Sequence, residues 1–224
     1  MDHLIAIPLD TSPAQRESLQ ALQQTFAEVC NAVAGRALVQ RCWNRVALHH
    51  LVYHEMRERF PDLGSQMVCN AIYSVSRACR LLFQNPQSPF HAPAAGGRPL
   101  PQVRFAPSSP VYFDRHTLSL RKGVLSMYTL EGRMKFRVNL NETQESMFAN
   151  EKLKEICLSE SGGRYALRFR LGTPSPEAAH PATGEALELP EYLLVAETGA
   201  EPGTDLPSPP LATPVAGTLT GVAS

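Results

Sequence analysis

Residues 133–139 read RMKFRVN and residues 164–171 read RYALRFRL. Both alternate basic or polar residues with apolar ones, the period of a strand with one wet face. Arg133, Lys135 and Arg137 therefore share one side of the first strand, and Met134, Phe136 and Val138 the other. In the second, Arg168 and Arg170 oppose Tyr165, Leu167, Phe169 and Leu171. Like charges on one face repel one another unless an anion lies across them. The chemistry this implies is a grip on a sugar-phosphate backbone. If the two strands share one sheet, their outward face is a strip of about five cations, which Arg115, Arg121 and Lys122 extend. Tyr112, Phe113 and Tyr128 lie nearby in sequence as platforms for base stacking.

Covalent and metal chemistry find less support. His50 and His54 have the i, i+4 spacing of a metal pair, with His49 beside them, but the stretch reads HLVYH rather than HExxH. No Ser-His-Asp, P-loop or GxGxxG pattern occurs, so no catalytic residue, cofactor or metal is expected. Cys30, Cys42 and Cys79 fall among apolar residues and read as small core fillers, and Trp43 as a core residue of the helical part. None of the five cysteines forms a CxxC pair, which fits reduced thiols in a cytoplasm. The start, MDHLIAIPLD, lacks the basic stretch of a secretory signal, and no apolar run is long enough for a membrane span.

The net charge is zero only in total. Residues 1–170 hold all 21 Lys and Arg against 14 Asp and Glu, whereas residues 171–224 hold 7 acidic residues and no basic one. This is a basic body followed by an acidic tail.

The elements that would position these residues follow from local periodicity. Residues 3–9 read as a strand. Ser12 is an N-cap with Pro13 behind it, opening a helix through Leu19, Leu22, Phe26 and Val29 that should stop at Gly35. Further helices are expected over 40–60 and 63–83. The last has an apolar face of Val68, Ile72, Val75, Cys79 and Leu82. Its opposite face is Gln66, Asn70, Tyr73, Arg77 and Arg80, polar but without a carboxylate. Residues 84–103 are rich in Pro and Gly and read as a linker. Strands are then expected at 110–114, 116–121, 123–130, 133–139, 153–159 and 163–171, with a short helix near 142–150 and a turn at Gly162-Gly163. The whole is α+β, with a small β-barrel as the second layer. From Gly172 on, 9 prolines in 53 residues predict disorder, apart from one possible strand at 186–197.

The order of two segments resembles a known family. LVYHEMRERFPDLGSQMVCNAIYSVSRACRLLF (51–83), a linker, and FAPSSPVYFDRHTLSLRKGVLSMYTLEGRMKFRV (105–138) resemble the N-terminal half of the transposon-encoded OrfB/TnpB family, RNA-guided nucleases related to type V CRISPR effectors. The likeness spans roughly residues 3–172. It implies a first wedge strand at 1–11, a helical recognition module at 12–85, a linker at 86–104 and an oligonucleotide-binding-type wedge barrel at 105–172. In that family these modules hold a guide RNA and read a short duplex motif beside the DNA target. By position, Tyr53, Gln66, Cys69, Asn70, Tyr73 and Tyr112 are the residues that would approach that motif.

Full-length members continue into a RuvC-type nuclease domain whose carboxylates hold two metals. A relic of its first strand would fall at 186–199 within the tail 173–224, with Glu197 near the aspartate position. One glutamate cannot build a two-metal site. The resemblance thus implies a nuclease-deficient binder of guide RNA and of target-adjacent duplex DNA, working with other effector subunits. The alternative is the recognition subunit of a split nuclease whose RuvC part is a separate chain, with strand 186–197 pairing to it.

Overall fold

The computed structural model describes residues 2–95, 99–172 and 190–196. Four α-helices and nine strands occur among them, and every strand pairing is antiparallel. The fold is mixed α+β. None of these helices is long and apolar enough to cross a membrane.

Helix α1 (Pro13–Val39) begins as its cap residues dictate. Ser12 Oγ accepts from the Gln15 amide at 3.2 Å, and Gln15 Oε1 accepts from the Ser12 amide at 3.0 Å. Leu19, Leu22, Phe26 and Val29 are buried, as the spacing predicts. The helix does not stop at Gly35. A glycine inside a helix costs only about 1 kcal/mol against alanine, and the face buried around it continues through Val33, Ala34 and Ala37. The stop comes at Arg41, whose φ of 46° lies in the left-handed region. There the Arg41 and Cys42 amides donate to the Leu38 and Ala37 carbonyls.

Helix α2 (Arg45–Arg59) starts later than expected, because Asn44 caps it by accepting from the Val46 and Ala47 amides. Its inner stripe is Leu48, Val52 and Met56. Helix α3 (Ser65–Phe83) buries all five apolar positions named above and packs against α1 and α2.

Strand β1 (Asp2–Pro8) joins a four-stranded sheet of order β1-β8-β7-β3, with β3 at Val111–Phe113, β7 at Lys152–Ser161 and β8 at Arg164–Gly172. A second sheet contains β4 (Leu118–Arg121), β5 (Val124–Thr129) and β6 (Gly132–Arg137). Helix α4 (Glu142–Asn150) lies between β6 and β7 and packs Phe148 edge-on against Phe169, with ring centroids 5.0 Å apart. The glycine turn expected between the last two long strands is there, with Gly162 and Gly163 at φ 58° and 78°.

One strand escaped the sequence reading. β2 (Gln102–Phe105) begins inside the expected linker, runs past its end and pairs with β9 (Leu193–Ala196). Four residues carry little periodic signal, and the partner is some ninety positions away, so the pairing is not local information. Helix α1 fixes β2 through Asn31, whose side chain both donates to the Phe105 carbonyl (3.0 Å) and accepts from its amide (2.7 Å). Of the strand expected at 186–197, residues 193–196 form β9, whereas 190–192 are a turn and irregular chain. Residues 186–189, Glu197 and the predicted disorder of the tail lie outside the described residues.

The turn between β3 and β4 carries the chain from one sheet to the other. Asp114 Oδ1 accepts from the His116 and Thr117 amides, each at 3.0 Å, and from Thr117 Oγ1 at 2.9 Å. Its Oδ2 accepts from Gln66 Nε2 of α3 at 2.7 Å. Asp114→Ala strands these donors and should cost about 1–3 kcal/mol. At about 2–4 °C per kcal/mol for a chain of this size, the melting temperature should fall measurably in a thermal scan. An unchanged melting temperature would show that the turn holds without the carboxylate.

The buried side chains of helices and strands form one contiguous cluster, from Ile5 through Phe83 to Leu171. Gln23, 3% exposed, ties the two layers together by donating from Nε2 to the carbonyls of Ser108 (2.8 Å) and Ser109 (3.1 Å).

Candidate nucleic-acid interface

Strand alternation holds in both runs, but the single cation strip does not. β6 and β8 belong to different sheets, so Arg133, Lys135 and Arg137 are separated from Arg168 and Arg170. Period-2 patterning says which side a residue faces, not which strand lies beside it.

The first group sits on the outer face of β4-β5-β6. Leu118, Leu125, Met127 and Phe136 are buried on the inner side. On the outer side three rows cross the sheet: Arg121–Val124–Arg137, Ser119–Ser126–Lys135, and Tyr128–Arg133. Lys122 adds a cation at the β4–β5 turn, where Lys122 and Gly123 both take positive φ, 50° and 70°. A side chain at position 123 would meet the Val138 carbonyl at 3.2 Å, so this tight turn needs its glycine. Between Leu118 and Arg137 there are five cations and one acid, Glu131 at the β5–β6 turn. Among the described residues, Arg121, Lys122, Lys135 and Arg137 have neither a carboxylate nor a side-chain hydrogen-bond partner. Arg133 differs. Its guanidinium lies 4.2 Å from the centre of the Tyr128 ring and donates to the His116 carbonyl at 3.0 Å.

The second group lies on the outer face of the four-stranded sheet, and one of its two cations meets a carboxylate. Glu155 on β7 pairs with Arg77 of α3 and stands 3.7 Å from Arg170. Arg77 also lies over the Tyr112 ring at 5.9 Å. Burial pushes the Tyr112 hydroxyl well above the usual phenol range, with Tyr192 lining the same recess. Arg168 remains exposed, opposite Ala6 and Cys157. The α3 face without carboxylates of its own thus meets two from elsewhere, Asp114 of the β3–β4 turn and Glu155 of β7. Asn70 is likewise engaged, donating to the Tyr112 carbonyl at 3.2 Å. Arg80 stays exposed.

A third feature is a cleft of about 380 Å³ between α2 and α3, lined by Arg45, Val46, His49, Gln66, Cys69 and Ile72. Tyr53 stacks on His49 with ring centroids 4.7 Å apart, and Tyr73 lies under Arg45 at 5.0 Å. Tyr53, Gln66, Cys69 and Tyr73 are therefore brought to one place. Arg45 and His49 were missed as cleft residues, since neither stands out in a helix that carries further Arg and His. His50 and His54 are exposed, and no three metal-ligating side chains converge among the described residues.

All five thiols are free. Cys30 and Cys79 are buried core fillers, as expected, whereas Cys42 is only half-buried. Burial pushes the Cys79 thiol up to about 12 and that of Cys157 up to about 11. A thiolate is the nucleophile, so brief iodoacetamide treatment at pH 8 should leave Cys30 and Cys79 unlabelled until the chain is denatured. Mass spectrometry checks this, and rapid labelling of either in the native protein would contradict the packing described.

No protein-family model matches the chain, and no curated protein matches it significantly.

Proposed function

We propose that this protein binds structured RNA, acting as a guide-RNA binder, through the outer face of β4-β5-β6. The observation that carries the proposal is the register of that sheet. Every outward position is a cation, a small polar residue, Val124 or Tyr128, and none is an acid. The strand order supports an oligonucleotide-binding-type barrel beneath it. Pairing runs β6-β5-β4, passes through the Asp114 turn to β3-β7-β8-β1, and has α4 between β6 and β7. In such barrels the face of the second and third strands, with the turn between the first and second, contacts oligonucleotides. Here those positions correspond to β5, β6 and the Arg121–Gly123 turn. The cleft lined by Arg45, Gln66 and Cys69, with Tyr73 against Arg45, is the proposed contact for a duplex DNA partner beside the RNA.

The test is a mobility-shift titration of the full chain with a structured RNA, repeated from low to high salt. Affinity should fall steeply as salt rises, because each phosphate contact releases a counterion. Weak binding unchanged by salt would end the proposal.

A further inference from the structure

Resting on that reading, we infer that Arg133 forms a fixed shelf on which one unpaired base stacks. Lys135, Arg137, Arg121 and Lys122 are unengaged among the described residues, whereas Arg133 is held on two sides. Its NH2 nitrogen donates to the His116 carbonyl at 3.0 Å. Its NH1 nitrogen donates to Ser126 Oγ at 3.3 Å and to the Ser126 carbonyl at 3.4 Å. Three of the five N–H groups of the guanidinium are thereby engaged, which fixes the orientation of its plane.

What Arg133 still offers is its plane. Tyr128, its cross-strand partner, lies under the guanidinium at 4.2 Å, while Arg133 itself is exposed. The guanidinium is flat and weakly hydrated, and unpaired bases stack on such planes as they do on aromatic rings. The tyrosine and three hydrogen bonds settle its orientation before any ligand arrives, which removes much of the ordering cost of binding. The phosphates on either side of the stacked base then run over Lys135 and Arg137. These lie two and four residues along β6, and strand geometry places successive outward side chains about 6.6–6.8 Å apart. Duplexed bases are already stacked on both faces, so the shelf selects a single-stranded segment of the RNA.

The experiment uses the full chain and two RNA probes with equal numbers of phosphates: a single-stranded oligonucleotide of mixed sequence and a blunt duplex. Arg133→Lys keeps the charge and removes the plane. It should weaken single-strand binding by about fivefold or more, the scale of one lost base stack. Duplex binding should stay within about twofold, and the salt dependence of both should be kept because the charge is retained. Making one nucleotide at a time abasic should cost the native protein a similar factor at one position and cost Arg133→Lys nothing further there. Tyr128→Leu, which removes the ring beneath the guanidinium, should reproduce the single-strand defect and covers the case in which the lysine variant fails to fold. If Arg133→Lys binds the single strand as well as the native chain does, or loses both probes equally, the shelf is refuted. The same holds if no abasic position matters to the native protein. If the native chain binds neither probe, the proposed function itself falls.

Discussion

Replacing Arg121, Lys135 and Arg137 together by glutamate should weaken RNA binding by about a hundredfold or more near 0.1 M salt, while the melting temperature stays close to that of the native chain. The reasoning is electrostatic. All three side chains are exposed, so no buried contact is lost. Each phosphate contact contributes roughly 0.7–0.9 to the slope of log affinity against log salt. Losing three should flatten that slope by about 2–3, and the new carboxylates add repulsion across the same face. The informative control is the other sheet. Arg170 is already shared with Glu155 at 3.7 Å, so Arg168→Glu with Arg170→Glu should cost much less, within about tenfold. Mobility-shift titrations at three salt concentrations separate the two. Equal losses from both faces would mean that binding follows net charge and that neither sheet is a site.

The second large effect concerns the four-stranded sheet. Phe169→Ala should destabilise the protein by about 3–5 kcal/mol, a large part of the 5–15 kcal/mol that holds an ordinary domain folded. Phe169 is 1% exposed and sits in the row Ile5–Phe169–Ile156, which joins three strands. It also receives the edge of Phe148, at an interplanar angle of 87°. Truncation therefore opens a cavity where β1, β7, β8 and α4 meet. In urea, with a slope of about 1–3 kcal/mol per molar, the midpoint should drop by about 1 M or more. Phe148→Ala, at a half-buried position, should cost distinctly less. If the two variants proved equally mild, α4 would not be closing this end of the core.

Much of this architecture was legible one element at a time. Ser12, Pro13 and Gln15 announce the start of α1, and the observed capping box uses those residues. The 4, 3, 4, 3 spacing of Val68, Ile72, Val75, Cys79 and Leu82 marks the buried side of α3. Gly162-Gly163 marks the hairpin between β7 and β8, and α4 falls on the expected residues. These succeed because capping, turn chemistry and periodicity are carried by residues within a few positions of each other. The misreading at Gly35 is instructive, since a weak local signal lost to burial on either side of it. The β2 strand was missed for the complementary reason, a local signal too short to register beside a distant partner.

For the interface, the amino-acid order by itself determined that Arg133, Lys135 and Arg137 stand on one side of a strand, and Arg168 and Arg170 on one side of another, because a strand's side chains alternate whatever lies next to it. Only the tertiary structure decided that these two strands enter different sheets, that Glu155 meets Arg77 and Arg170, and that Gln66 finds Asp114. It likewise distinguished Arg133, pinned over Tyr128, from its unengaged neighbours. Strand pairing joins residues far apart in the chain, and the period of two is the same for every possible neighbour.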